Sequence, residues 1–323
     1  MIKNIAVVSG GDSGEFEISV QSGKVVAKYL DPEKYEIYPI TIKGTDWLYE
    51  CPANNVYEID KNDFSIKMIG EKIKFDCVFI AIHGTPGEDG KLQGYFDMLN
   101  IPYTTCDHVT SAVTFNKHFC KNVVKDFGIL TANSMFLTKA LLSEENIKQN
   151  LRLPLFVKPN NGGSSVGMSK INSWEELKPA LDKAFAEDDE ILIEEFIKGR
   201  EITCGVYKSE NKIKTLPVTE IISSKDWFDF EAKYDSSLAE EIVPAQIPKD
   251  VFKNCQEISA QLYSQLNCKG LVRFDYIFND AGMFFLEVNT VPGLTETSIV
   301  PKMLKAQGIR LEDFFNLLVE EAL

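Results

Sequence analysis

Two neighbouring segments near the end of the chain, Val272-Arg-Phe-Asp-Tyr-Ile-Phe278 and Phe284-Phe-Leu-Glu-Val-Asn289, constrain the fold more than any other part of the sequence. Both are rich in aromatic and β-branched residues, and Asn279-Asp-Ala-Gly282 between them reads as a turn, so a β-hairpin is expected. Side chains two apart on a strand point to the same face. Arg273 and Asp275 therefore share a face, as do Glu287 and Asn289, and any register pairing odd with odd positions gathers all four. Two carboxylates and an amide oxygen beside an arginine are hard oxygen ligands of the kind magnesium takes, together with substrate phosphates. The same residues also fit a hairpin with a solvated charged face, in which Arg273 and Asp275 are a surface pair. After the strand, Asn289-Thr-Val-Pro-Gly293 forms a Pro-Gly turn that exposes backbone N–H groups beside the proposed ligands. Donors in that place can stabilise an oxyanion.

The rest of the chain sets the frame for this hairpin. Its 323 residues exceed one ordinary core, so two or three subdomains are expected. A hydrophobic share of 44% and a charged share of 25% are those of a soluble globular protein. The net charge of −14 argues against nucleic acid as a partner, because phosphate-backbone affinity needs clustered Lys and Arg. A nucleotide site would have to rest on individual lysines. The seven cysteines show no C-x-x-C or Cys/His cluster, which speaks against zinc and against a disulfide framework. The chain begins on a strand-like segment without signal-peptide architecture, and the apolar run at 77–82 is too short to span a bilayer. A cytoplasmic protein without a membrane partner is expected.

Along the first hundred residues, strand signals at 5–8, 35–42 and 76–83 alternate with helix signals at 20–29 and 92–99, implying a parallel α/β layer. Ser9-Gly-Gly-Asp-Ser-Gly14 lies between the first strand and its helix, where a glycine-rich loop commonly meets a ligand. Its spacing is not G-x-G-x-x-G and no acidic residue closes the second strand, which argues against a nicotinamide-dependent enzyme. A helix is expected over 116–126, then a strand at 155–159 running into the loop Asn160-Asn-Gly-Gly-Ser-Ser-Val-Gly167. Ser173 and Glu176 form a capping-box pattern, with Pro179 awkwardly inside the helix that follows. Strands are expected at 190–197, 202–207 and 215–220, then an irregular stretch over 223–245 and a helix over 250–266. An irregular stretch of that length is usually functional.

Taken in order, the blocks G-G-D-S-G-E-F-E-I-S (10–19), H-G-T-P-G-E-D-G-K-L-Q-G (83–94), F-V-K-P (156–159) with its glycine loop, and R-x-D…L-E-x-N-T-x-P-G-x-T-x-x-S (273–298) resemble the ATP-grasp ligases, most closely the D-alanine–D-alanine ligase family. The resemblance spans nearly the whole chain. It implies an α/β ATP-grasp fold in three parts. These are an N-terminal Rossmann-like substrate-binding domain (1–106), a central ATP-grasp subdomain (107–198) and a C-terminal catalytic subdomain (199–323). It also implies ATP-dependent joining of two D-alanine molecules through a D-alanyl phosphate, for peptidoglycan synthesis. ATP and two Mg²⁺ ions are the implied cofactors, with Mn²⁺ able to substitute, and a homodimer is compatible with the resemblance.

By the same resemblance, Glu15 holds the ammonium of the first substrate and His83 lies at its carboxylate. A strand-end histidine is more often structural, but Gly84, Gly87 and Gly90 follow it at loop spacings. Lys117, Lys158 and Lys233 resemble the nucleotide's charge partners, with the backbone of Gly163 and Ser165 at the phosphates. Glu194, Phe196 and Ile197 resemble the adenine-edge segment, and Glu201 the partner of the ribose hydroxyls. Ser164 and Tyr234 resemble the pair that joins Glu15 in closing a loop over the substrates, so these three should form one hydrogen-bonded set. The resemblance makes Asp275, Glu287 and Asn289 the metal ligands, and Arg273 with the Gly293 N–H the oxyanion donors. Ser298 and Ile299 would receive the second substrate's carboxylate. Retention of Tyr234 points to D-alanine as second substrate, where ligases that use D-lactate differ in this loop. Three positions depart from the family's usual pattern: Asn116 before Lys117, Glu195 where many relatives carry Lys, and Phe16 where they often carry Arg.

Overall fold

The computed structural model describes residues 2–223 and 239–323. Lys233 and Tyr234, and most of the stretch expected to be irregular, lie outside the described residues. Three β-sheets organise the described residues. The first contains β1 (Lys3–Gly10), β2 (Tyr35–Lys43), β3 (Asp46–Glu50), β4 (Val56–Asp60), β5 (Ser65–Met68), β6 (Glu71–Lys74) and β7 (Cys77–Ile80), in the order β6-β5-β4-β3-β2-β1-β7. Only β2-β1-β7 is parallel, and β2 to β6 form an antiparallel meander. The three strands expected to form a parallel layer do so, and the meander β3–β6 beside them was not expected. The parallel strand β1 is buried almost throughout, while β4 and β6 bury little. Antiparallel strands with one solvated face carry a weak apolar signal, which hid the meander in the sequence. Helices α1 (Phe16–Tyr29) and α2 (Lys91–Leu99) follow β1 and β7.

Next come α3 (His108–Phe115), α4 (Lys117–Asp126) and the short β8 (Leu130–Thr131). The second sheet has the order β11-β10-β12-β9, from β9 (Ser134–Thr138), β10 (Leu155–Pro159), β11 (Ser169–Ile171) and β12 (Glu190–Glu195). Its core is closed by α5 (Glu144–Asn150) and α6 (Leu177–Glu187). The Ser173 side chain makes no cap bond, and Glu176 Oε2 instead accepts from Asn172 N at 2.8 Å. Pro179 is the third residue of α6, where a helix N–H has no intrahelical partner, so the proline is tolerated there.

The third sheet runs β16-β15-β13-β17-β18-β8, with β14 on β13. Its remaining strands are β13 (Arg200–Ser209), β14 (Lys212–Thr215), β15 (Thr219–Ser223), β16 (Ala239–Ile242), β17 (Leu271–Asn279) and β18 (Gly282–Asn289). The strand expected at 215–220 is thus two strands split around Pro217, which has no N–H for a ladder. Part of the expected irregular stretch is the paired strand β16. Helix α7 (Lys249–Gln265) packs on this sheet, and α8 (Ile299–Ala306) and α9 (Leu311–Ala322) join it to β1, β7 and α1 in one core. Cys120 and Val124 of α4 belong to the core of the third sheet, whereas its first residue hydrogen-bonds to Asn160 beyond β10. This one helix therefore ties the second and third sheets together at the end of β10.

All seven cysteines are free thiols. Among the described residues no helix is long and apolar enough to cross a membrane.

Candidate active site

The hairpin β17–β18 closes through the two-residue turn Asp280-Ala281, with Asn279 Oδ1 accepting from Ala281 N at 2.9 Å. Its register sets Arg273 opposite Asn289 and Asp275 opposite Glu287, so all four meet on one face. Strict alternation would also send Phe285 to that face, because it has the parity of Glu287 and Asn289. Phe285 is instead buried in the core with Val288. A bulge makes both possible: the register shifts after Asp275, Tyr276 pairs with Phe285, and Leu286 is the extra residue. Leu286 and Glu287 then both line the cleft.

Arg273 and Asp275 form a bidentate pair, Nε to Oδ1 at 2.9 Å and Nη2 to Oδ2 at 2.8 Å, with side chains 17% and 7% exposed. This is a buried pair, so the solvated-hairpin alternative does not apply. Burial alone would lower the arginine's pKa, but Asp275 outweighs it and the guanidinium is held charged. Asn289 Nδ2 donates to Asp275 Oδ2 at 3.0 Å, which leaves its amide oxygen turned to other partners. Among the described residues no three His, Cys, Asp or Glu side chains are grouped to hold a metal. Asp275, Glu287 and the Asn289 amide together are nonetheless an all-oxygen donor set, the chemistry that fits Mg²⁺ bound jointly with phosphates.

Across the cleft, the glycine loop after β10 takes left-handed backbone at Gly162, Ser164, Ser165 and Gly167. Non-glycine residues seldom adopt it, so the curl at Ser164 and Ser165 needs support from outside the loop. The supports are visible. Asn161 N and Nδ2 donate to Asp188 Oδ2 at 2.7 and 3.0 Å, Asn160 Nδ2 donates to Glu190 at 2.9 Å, and Lys117 Nζ donates to Gly162 O. The Ser164 hydroxyl donates to Glu15 Oε1. Gly163 permits that approach, because a Cβ there would stand 3.0 Å from Glu15 Oε2. Two of the three residues expected as a hydrogen-bonded set are thus in contact, and Tyr234 lies outside the described residues.

Lys158 leaves β10 toward the cleft and pairs with Glu194, whose other oxygen pairs with Lys121. Burial would push the Glu194 carboxyl up, but Lys158 and Lys121 outweigh it and hold it at about 2. Because this lies below the ordinary 4.5, the stabilisation is complete above that pH and is lost as pH falls toward about 2. Between about pH 5 and 3 the wild type should therefore lose more melting temperature than Glu194→Gln. Parallel curves would show that the carboxylate contributes nothing.

His83 is buried with both ring nitrogens engaged: Nδ1 meets Val291 O at 2.8 Å and Nε2 meets Ser22 Oγ at 3.0 Å. Burial lowers its pKa, which favours the neutral ring donating from Nδ1 and accepting at Nε2. Glu88 takes Gly84 N at 2.7 Å and Val291 N at 3.2 Å, and burial pushes its carboxyl up to about 7. Ser22 Oγ also accepts from Leu294 N at 3.3 Å. The turn carrying Gly293 is therefore held by His83 and Glu88 of the loop after β7 and by Ser22 of α1. Ser298 Oγ bonds Thr295 Oγ1 at 2.7 Å at the start of α8, and a Cβ on Gly293 would meet that oxygen at 2.9 Å. Ile299 opens α8 and is buried.

A cleft of about 750 Å³ lies between the glycine loop and β18, and His83, Arg273, Asp275, Asn289, Gly293, Ser298 and Ile299 are not among its lining residues. Glu15, Lys117, Lys158, Gly163, Ser164, Ser165, Glu194, Phe196, Ile197, Glu201 and Glu287 line it. Asp275 lies behind Glu287 as its cross-strand partner, with Arg273 and Asn289 bonded to it. Sequence reasoning missed Lys121, Glu88, Ser22 and Asn160. Lys121 carried a signal, since it lies four residues after Lys117 and hence on the same helical face. Each of the others bonds at least one group distant in sequence, for which no local pattern exists.

Comparison with known proteins agrees with this geometry. The family described as D-ala D-ala ligase N-terminus matches residues 4–106, and the one described as D-ala D-ala ligase C-terminus matches 123–320. The chain is 46% identical over 323 residues to D-alanine–D-alanine ligase of Flavobacterium johnsoniae, covering 100% of both chains. It is 42% identical over 322 residues to that of Phocaeicola vulgatus, covering 99% of both. Among solved structures, VanG D-Ala:D-Ser ligase from Enterococcus faecalis superposes with a TM-score of 0.89 at 32% identity, covering 100% of both chains. D-alanine–D-alanine ligase from Bacillus anthracis complexed with ATP gives 0.80 at 32% identity, covering 100% of this chain and 97% of that one.

Proposed function

The chain belongs to the D-alanine–D-alanine ligase family, and from that premise we infer that it joins two D-alanine molecules, with ATP converted to ADP and phosphate, for peptidoglycan precursor synthesis. The observation that carries the reading is the hairpin register. It sets Arg273, Asp275, Glu287 and Asn289 on one face, across a cleft from the bonded pair Glu15–Ser164. We place the protein in the cytoplasm, with ATP and D-alanine as its small-molecule partners. We also keep the division at 1–106, 107–198 and 199–323, with one sheet centred in each part.

The residues have distinct tasks. Glu15 receives the ammonium of the first D-alanine, turning its carboxylate toward Arg273. Lys117 and Lys158 neutralise the ATP phosphates, the backbone of Gly163 and Ser165 caps them, and Phe196, Ile197 and Glu201 hold the base and ribose. Glu194 reaches the nucleotide with its carboxylate between two lysines, an occupied state that the sequence did not foretell. We assign Lys233 to the phosphates and Tyr234 to the Glu15–Ser164 set. A carboxylate oxygen of the first substrate attacks the γ-phosphorus and ADP departs, leaving the acyl phosphate. The amine of the second D-alanine, seated by Ser298 and Ile299, attacks the acyl carbon. Arg273 and the Gly293 N–H receive the oxyanion, phosphate leaves with the C–O bonding pair, and the extra proton of the attacking nitrogen passes to that departing phosphate. Two Mg²⁺ ions, or Mn²⁺ in their place, held by Asp275, Glu287 and Asn289, would supply counter-charge for the phosphates. No protein nucleophile is needed, so catalysis is positioning plus charge stabilisation. His83, with both nitrogens engaged, serves by fixing the Gly293 turn beside the substrate carboxylate.

Phosphate release from MgATP, with products identified by mass, tests the reading. D-alanine alone should give the dipeptide, and L-alanine should give nothing. Turnover only after D-serine or D-lactate is added would keep the family and replace the second substrate.

A further inference from the structure

Lys121 has no part in the chemistry above, yet its side chain is only 3% exposed. An ammonium buried to that degree is costly unless paired and hydrogen-bonded. Its Nζ donates to Ala132 O at 3.1 Å and to Glu194 Oε1, while Glu194 Oε2 is held by Lys158. Lys158 lines the cleft and Lys121 does not. The three side chains thus run from the interior to the cleft as cation, anion, cation, with a single net positive charge.

We propose that Lys121 is a positioning residue for the nucleotide: by binding Glu194 from behind, it leaves the charge of Lys158 directed at the phosphates. The proposal rests on the reading of this cleft as the ATP site. Without Lys121, Glu194 and Lys158 form a closed pair of zero net charge. Lys158 already touches that carboxylate, so without the second cation its charge is offset in full and its attraction for an anionic ligand is lost. Removing both Lys121 and Glu194 returns an unopposed Lys158. A buried ion pair can often be exchanged for neutral groups at little cost, whereas deleting one partner is expensive. The inference therefore predicts a non-additive pattern that general loosening of the core would not give.

Lys121→Met, Glu194→Gln and the double variant are compared by steady-state kinetics and MgATP calorimetry. Lys121→Met should raise KM for ATP by about 10- to 100-fold, the range for loss of a charge-assisted contact. Its kcat should stay within about threefold of the wild type. In the double variant KM for ATP should stay within about fivefold of that of Glu194→Gln, because without the carboxylate there is no charge left for Lys121 to offset. The proposal is overturned by an unchanged KM in Lys121→Met, by kcat falling as far as KM rises, or by a double variant more than about fivefold weaker than Glu194→Gln. If Lys121→Met does not fold, the double variant is compared with Glu194→Gln: MgATP affinity within about fivefold supports the proposal, and a further loss beyond that overturns it. A wild type that fails to bind MgATP would remove the ATP-site reading itself. Wild-type binding with an unaffected Lys121→Met variant would remove only the role of Lys121.

Discussion

Arg273→Met is expected to lower kcat by about 10³-fold, the upper range for deleting one donor to a developing oxyanion. The guanidinium gives two N–H bonds to Asp275 and has further donors for the acyl centre. Methionine keeps the stem and removes both functions. The change also strands a carboxylate that is 7% exposed, so stability should fall by about 3–5 kcal/mol. Denaturant titration separates the two effects: where the folded fraction is complete, the kinetic loss must persist. A folded variant within tenfold of the wild-type kcat would remove Arg273 from the chemistry.

Glu287→Gln should behave in the opposite way toward stability. Asp275 and Glu287 are directly opposed across the hairpin, and like charges in that relation are destabilising. Such a pair suits a site designed for a cation rather than for a stable fold. Substituting the amide should leave the melting temperature unchanged or raised, while turnover falls by at least about 10³-fold, corresponding to several kcal/mol of lost charge stabilisation. Chelation of divalent ions should abolish turnover in the wild type, and added Mg²⁺ or Mn²⁺ should restore it. Full activity in excess chelator would sink the assignment of Asp275, Glu287 and Asn289. A variant that unfolds would show that Glu287 is chiefly structural.

The family and the segments to which we assign the chemistry were legible because they are local. The hairpin turn, the alternation around Arg273 and Asp275, and the glycine loop each lie within a short run of sequence, where backbone geometry alone relates one residue to the next. The parallel strands β1 and β7 were legible for a similar reason, since strands buried on both faces read as continuous apolar runs. The meander over β3–β6 was not, because its strands are short and half-solvated.

By itself the sequence determined which residue types could do the chemistry, and in what order along the chain. Only the tertiary structure decided how they are held. The bulge at Leu286 that lets Phe285 enter the core while Glu287 faces the cleft depends on packing against a partner strand. The grip of His83 and Glu88 on Val291 spans 208 and 203 positions of sequence, and the ion pair of Lys121 with Glu194 spans 73. A charge or a backbone N–H finds its partner by proximity after folding, and burial then makes that partner obligatory. No periodicity in the chain encodes such pairings.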